Sequence, residues 1–318
     1  MSIFGRHSVE AKLQVDASKR NNYMICGVDG APFEPRAITP LRHNFDRHPL
    51  LQLQALRELA GRLAGSAKNI KLSLPKVWEG TPFHTLSLKQ ARTTVENVFD
   101  DIESPGSWVA IYYPEDDPIY RDLLHDALGL VAPQVEPIDP GMSEFNMFIF
   151  IAAPPSVTPF HIDRENIFNL QIAGRKIWRI WQPDDRVAVP ASAAEGYLVR
   201  GDPDGLRYHP ELDSRALRFE VGPGDGLHFP PACGHTINTT TDWVTPGNGV
   251  AIGVAMTYFT RASRRRAAAA VGSDFLRRRV PLIGAVDNAF LNRLHYPVGR
   301  FMIRSRQLLR REPPPRGT

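Results

Sequence analysis

The sequence predicts a mainly β protein of the α+β class, with a double-stranded β-helix (a jelly roll) at its centre, α/β elements before it and helices after it. Three observations point there. Eight short apolar or alternating segments crowd between residues 141 and 260, punctuated by turn-forming stretches such as PGDG and PPACGH. The 28 prolines and 24 glycines among 318 residues favour many turns over long helices. The strand-like segments are short and non-locally spaced, as in a double-sheet jelly roll or barrel.

Taken in order, residues 1–140 read as a mixed α/β elaboration packed on the core. HPLLQLQALRELAGRLAG, residues 48–65, repeats apolar side chains at helical spacing and ends in glycine. A second helix is expected over 87–101 behind a serine cap, and a strand over SWVAIYY, 107–113. A third helix is expected over 117–129, with Asp117 as cap, Pro118 in the first turn and Gly129 as stop. Residues 141–260 form the core, with strands near 145–152, 158–163, 166–173, 176–182, 216–221, 226–229, 235–240 and 250–259. The polar, proline-containing stretch 183–215 reads as an insertion over one face. Residues 261–318 read as an arginine-rich helical region, with Ser273 capping SDFLRRR, a break near Pro297 and a disordered tail, EPPPRGT.

Composition narrows the function classes. The nine-residue run FNMFIFIAA is too short to span a bilayer, and the opening twenty residues lack the pattern of a secretory signal. Two cysteines without metal spacing argue against a disulfide framework, so a reducing cytoplasm is the expected setting. The net charge of +4 conceals fourteen arginines against three acids from Arg261 onward. Without a nucleic-acid-binding signature, that imbalance is read as contact with the chain's own acidic body or a sister chain, including a homodimer through the C-terminal helices.

Chemistry concentrates in TPFHIDRENIFNLQIAGRKIW, residues 158–178. His161 and Asp163 stand two apart, so on a strand they face one side. A buried aspartate beside a histidine needs a partner or a metal. With a second histidine they make the two-histidine, one-carboxylate set that suits Fe(II) and leaves coordination positions open. His235, beyond the PPACG turn, is the expected third ligand, while His228 competes and is assigned to the wall. Lys176 begins the next apolar segment; it either snorkels to the surface or points inward toward an anion.

These motifs resemble the Jumonji-C and cupin-like Fe(II)/2-oxoglutarate-dependent oxygenases, in particular their small hydroxylase branch. The resemblance rests on the HxD pair, Gly224, Asp225, Pro230 and His235, with Thr158 three residues before the first ligand and Lys176 fifteen after it. It implies a cupin-like fold and an Fe(II) held by His161, Asp163 and His235. It further implies that 2-oxoglutarate is anchored by Lys176 and Thr158 and that molecular oxygen is consumed, with a protein side chain or a small molecule as the substrate. The family's asparagine between the HxD pair and the lysine has two candidates here, Asn166 and Asn169, of which Asn169 is taken. Its asparagine on the final strand is replaced near Ala255 and Thr257. Phe148, Phe150 and Phe160 are expected as apolar walls.

Overall fold

The computed structural model describes residues 23–66, 68–73, 78–81, 95–201, 205–279 and 289–309. Its strands, in chain order, are β1 (Ile25–Gly27), β2 (Thr39–His43), β3 (Ile70–Ser73), β4 (Trp108–Tyr112), β5 (Ser143–Ala152) and β6 (Ser156–His161). They continue with β7 (Asn166–Ala173), β8 (Lys176–Ile180), β9 (Leu217–Val221), β10 (Asp225–Phe229), β11 (His235–Thr239) and β12 (Ala251–Phe259). Among the described residues they make two antiparallel sheets, a larger one ordered β1-β2-β10-β7-β12-β5-β4-β3 and a smaller one ordered β6-β11-β8-β9. This is the jelly-roll arrangement expected for residues 141–260, and every strand predicted there is present.

Strand β7 shows why the sheets stack. Its odd positions Ile167, Asn169 and Gln171 share one face, and its even positions Phe168, Leu170 and Ile172 share the other. Ile167 joins Trp178, Ile180 and Val221 of the smaller sheet, together with Leu227, Phe229 and Ala255, in one apolar cluster between the sheets. The even positions join a larger cluster on the outer face, against Leu56 and Leu59 of α1 (Leu53–Leu63) and Leu124 and Leu128 of α3 (Pro118–Val135). A strand buried on both faces reads as a nearly continuous apolar run. The two amides on its inner face are the exceptions.

The N-terminal zone is woven into the larger sheet: β2 pairs with β10 and β4 pairs with β5. Four expectations are corrected. Helix α3 starts behind Asp117, whose side chain accepts from Ile119 N, but it passes Gly129 and ends at Val135. Burial of Leu128, Val131 and Val135 outweighs the modest helical penalty of glycine. The 183–215 stretch contains a helix, α4 (Ala191–Arg200), whose alanine-rich segment was obscured by flanking prolines and aspartates. At the C-terminus, Ser273 lies inside α5 (Arg261–Arg277), which is capped instead by a reciprocal Thr260–Ser263 pair. Helix α6 (Ala289–Leu309) runs through Pro297.

The expected 87–101 helix is seen only as α2 (Val95–Asp100), and its first part lies outside the described residues, as does the tail. Helices α5 and α6 cross with their backbones in contact. A Cβ on Gly272 would come 2.1 Å from the His295 carbonyl oxygen, so only glycine fits there. Leu198, Val199, Ala270 and Val271 fill the space between α4 and α5.

Candidate metal centre

Strand β6 is an edge of the smaller sheet, and it carries a bulge. His161 pairs with His235 on β11, but the next pair is Thr158 with Ile237, so three residues of β6 span two of β11. The extra residue puts Thr158 on the same face as His161, which a regular strand would not do. Pro159 sits within the bulge, where a missing N–H costs nothing to the ladder. Phe160 N donates instead to Glu79 O at 2.8 Å. The Phe160 ring packs on the other side, against Trp181 and Val189, so it is no wall of the inter-sheet space. Phe148 and Phe150 do face that space.

The two histidines are buried and directly opposed, with ring centroids 4.0 Å apart. His161 Nδ1 lies 2.8 Å from Pro159 O, and His235 Nδ1 lies 3.1 Å from Cys233 O. A carbonyl can only accept, so each Nδ1 carries the proton and each Nε2 presents a lone pair. Burial, and then the neighbouring His161, hold the His235 pKa well below the ordinary histidine value, which favours the neutral, ligating form. The His235 ring is further fixed by stacking on Trp178 at 5.7 Å between centroids.

Asp163 does not lie on the strand as expected. Strand β6 ends at His161, and Asp163 comes from the turn leading to β7. Its backbone carbonyl accepts from Ala232 N at 2.9 Å, which ties the turn to the PPACG segment just ahead of His235. One Asp163 oxygen lies 3.4 Å from His235 Nε2, and one donor atom from each of His161, Asp163 and His235 falls within 4.8 Å of the others. Burial raises the Asp163 pKa, while His161 and Arg164 oppose the rise. Two imidazole lone pairs and one carboxylate form a donor set that can hold a divalent metal.

His228 is elsewhere. It is fully buried on the outer face of β10, with Nδ1 and Nε2 each 2.9 Å from a carbonyl oxygen, of Ile167 and Pro35 respectively. Burial lowers its pKa to about 4. It is a structural tie, and its alternation with Leu227 and Phe229 could have placed it on that face.

Lys176 opens β8, opposite Thr239 of β11 and Val221 of β9. Its side chain points inward and is only 6% exposed, so it does not snorkel. It makes no hydrogen bond or ion pair among the described residues, and burial lowers its pKa to about 8. Across the inter-sheet space, a Cβ on Gly253 of β12 would lie 3.1 Å from Lys176 Nζ, 3.6 Å from Gln171 Oε1 and 3.8 Å from Asn169 Oδ1. Lys176 and Asn169 therefore both approach the space beside Gly253, as does Gln171, a residue that the sequence motifs do not single out. Its signal was available: Gln171 follows Asn169 by two, and is polar within an apolar strand. Asn166 lies on the opposite face and bonds Tyr258 O. Ala255 and Thr257 face inward, and Thr257 Oγ1 is buried without a partner among the described residues.

The architecture and donor set thus define the class: a jelly roll with a two-histidine, one-carboxylate centre between its sheets. Residues 131–260 match the family model of the JmjC domain. A comparison with curated proteins found no match. Among solved structures, the chain is similar to a structure of the ribosomal oxygenase YcfD from Escherichia coli, with a TM-score of 0.39 and 14% identity over 84% of this chain and 61% of that one. A second structure of E. coli YcfD gives 0.41 and 15%, over 87% and 66%. The chain spans less than two thirds of their length.

Proposed function

We propose that the chain is an Fe(II)- and 2-oxoglutarate-dependent dioxygenase, a hydroxylase acting on a C–H bond of a protein side chain or small molecule. One observation carries this reading: a buried lysine, unpaired among the described residues, shares the inter-sheet face with the His161–Asp163–His235 set. A metal centre alone does not call for such a lysine, whereas a dicarboxylate that chelates the metal at one end does. When bound, iron supplies the activation of molecular oxygen, coupled to oxidative decarboxylation of 2-oxoglutarate.

The chain's residues supply placement. The Nδ1–carbonyl bonds hold both imidazoles with Nε2 toward the metal position. Lys176 would meet the far carboxylate of the cosubstrate in a charge-assisted hydrogen bond, with Thr158 and Asn169 contributing from the same space. Phe148, Phe150, Trp178 and Ile237 enclose it in apolar surface, which excludes water and strengthens that contact. The outer face of α6 exposes Leu294 and Phe301, which supports a homodimer through the C-terminal helices. Among the described residues no helix is long and apolar enough to cross a membrane, and the reading places the protein in the cytoplasm.

The test is succinate formation from 2-oxoglutarate by the purified chain with Fe(II) and oxygen. Turnover that His161→Ala abolishes supports the reading. Metal binding without any 2-oxoglutarate binding would leave a non-catalytic or differently fuelled metal site in its place.

A further inference from the structure

Building on the reading of Lys176 as the cosubstrate anchor, we propose that Gln171 is the positioning residue of that anchor. On carboxylate binding its amide oxygen takes one ammonium N–H of Lys176, and Gly253 opposite leaves open the space that the carboxylate enters.

Three observations carry this. Gln171 is fully buried, and its Nε2 donates to Ala173 O at 2.6 Å and to Gly174 O at 3.4 Å. Turning the amide over would set its oxygen against two carbonyl oxygens, so the orientation is fixed by chemistry. Gln171 Oε1 therefore faces the inter-sheet space, where it is buried without a hydrogen-bond partner among the described residues. Second, no carboxylate pairs with Lys176: the charged residues of β9, Arg218 and Glu220, pair with each other, and burial lowers the Lys176 pKa. Third, Lys176 Nζ, Gln171 Oε1 and Asn169 Oδ1 all lie within 4 Å of the point where a Gly253 Cβ would stand.

The two amides then divide the work. Asn169 makes no side-chain hydrogen bond among the described residues, so its amide can turn and donate to a carboxylate. Gln171 cannot turn. It serves as a fixed acceptor that favours the ammonium form of Lys176 and aims its remaining two N–H groups at the incoming carboxylate. Gly253 matters because a methyl group there would press on Nζ from the carboxylate's side.

The experiment is calorimetric titration of the anaerobic Fe(II)-loaded chain with 2-oxoglutarate, over a pH series spanning the Lys176 value of about 8. Binding by the wild type should weaken above that pH. For Gln171→Leu the weakening should begin at lower pH; with a midpoint one unit lower, affinity falls by about twofold at neutral pH and approaches about tenfold by about pH 9. Gln171→Glu supplies a built-in carboxylate, so the midpoint should rise while binding collapses. Gly253→Ala should weaken binding with the midpoint unchanged. Wild-type affinity and midpoint in Gln171→Leu would overturn the proposal. Should that variant fail to fold, as judged by circular dichroism, an unmoved midpoint or undiminished binding in Gln171→Glu does the same. A Lys176→Met chain that binds 2-oxoglutarate normally would instead sink the anchor reading, a distinguishable result.

Discussion

His161 and His235 face each other across the β6–β11 pair, and each ring is locked by the carbonyl two residues before it in the chain, Pro159 and Cys233. The same short local bond, repeated on two strands, sets both tautomers before any metal arrives. Removing a ligand should therefore cost metal binding without unfolding the sheet. His235→Ala and Asp163→Ala are each expected to lower Fe(II) affinity at least tenfold to a hundredfold, since even outer partners of metal ligands are worth that much. Equilibrium dialysis against Fe(II) checks this, and near-wild-type affinity in both variants would contradict it.

Lys176 gives a prediction of opposite sign for stability and for binding. Its pKa, lowered from 10.5 to about 8, corresponds to about 3 kcal/mol of unfavourable burial at neutral pH. Lys176→Met should raise the melting temperature of the cosubstrate-free protein by several degrees and abolish the further rise that 2-oxoglutarate produces. A thermal-shift series with and without 2-oxoglutarate reads both effects.

The pH dependence follows from the same group. Between about pH 8 and 10.5 the unfolded chain holds the lysine proton and the folded chain does not, so the cosubstrate-free protein gains stability as pH rises through that window. Carboxylate binding runs the other way, falling as the ammonium is lost. Denaturant unfolding of wild type and Lys176→Met across the window isolates the contribution, which the methionine variant should lack.

His228 provides the control. Replacing it with leucine removes the one N–H that the neutral ring donates to a carbonyl, Ile167 O or Pro35 O, and leaves that carbonyl unpaired in a dry environment at a cost of about 1–3 kcal/mol. Stability should fall while Fe(II) affinity per folded molecule is kept. Loss of the metal with stability intact would return His228 to the ligand set.

Much of this was legible because the physics is local. The period-two pattern of NIFNLQIA sets β7 at 166–173, and the HxD spacing brings a ligand pair into view. The rest depended on contacts that leave no periodic trace. The β6 bulge, which turns Thr158 to the side of His161, is marked in the sequence only by Pro159. The Ala232–Asp163 backbone bond joins residues 69 apart in the chain and depends on neither side chain. Gly129 predicts a stop because propensity is local, whereas the burial that carries α3 past it is not. Gln171 carries no sequence motif, because its place beside Lys176 and Gly253 arises only when the two sheets stack.

The central claim is that one inter-sheet space holds both a metal and a dicarboxylate anchored at Lys176. Its most direct test is the visible absorption of the anaerobic protein with Fe(II), recorded as 2-oxoglutarate is added. The account predicts a new charge-transfer band that saturates with 2-oxoglutarate, is absent in His161→Ala, and needs far more 2-oxoglutarate in Lys176→Met. An Fe(II)-loaded wild-type chain that gives no band at any 2-oxoglutarate concentration would contradict it.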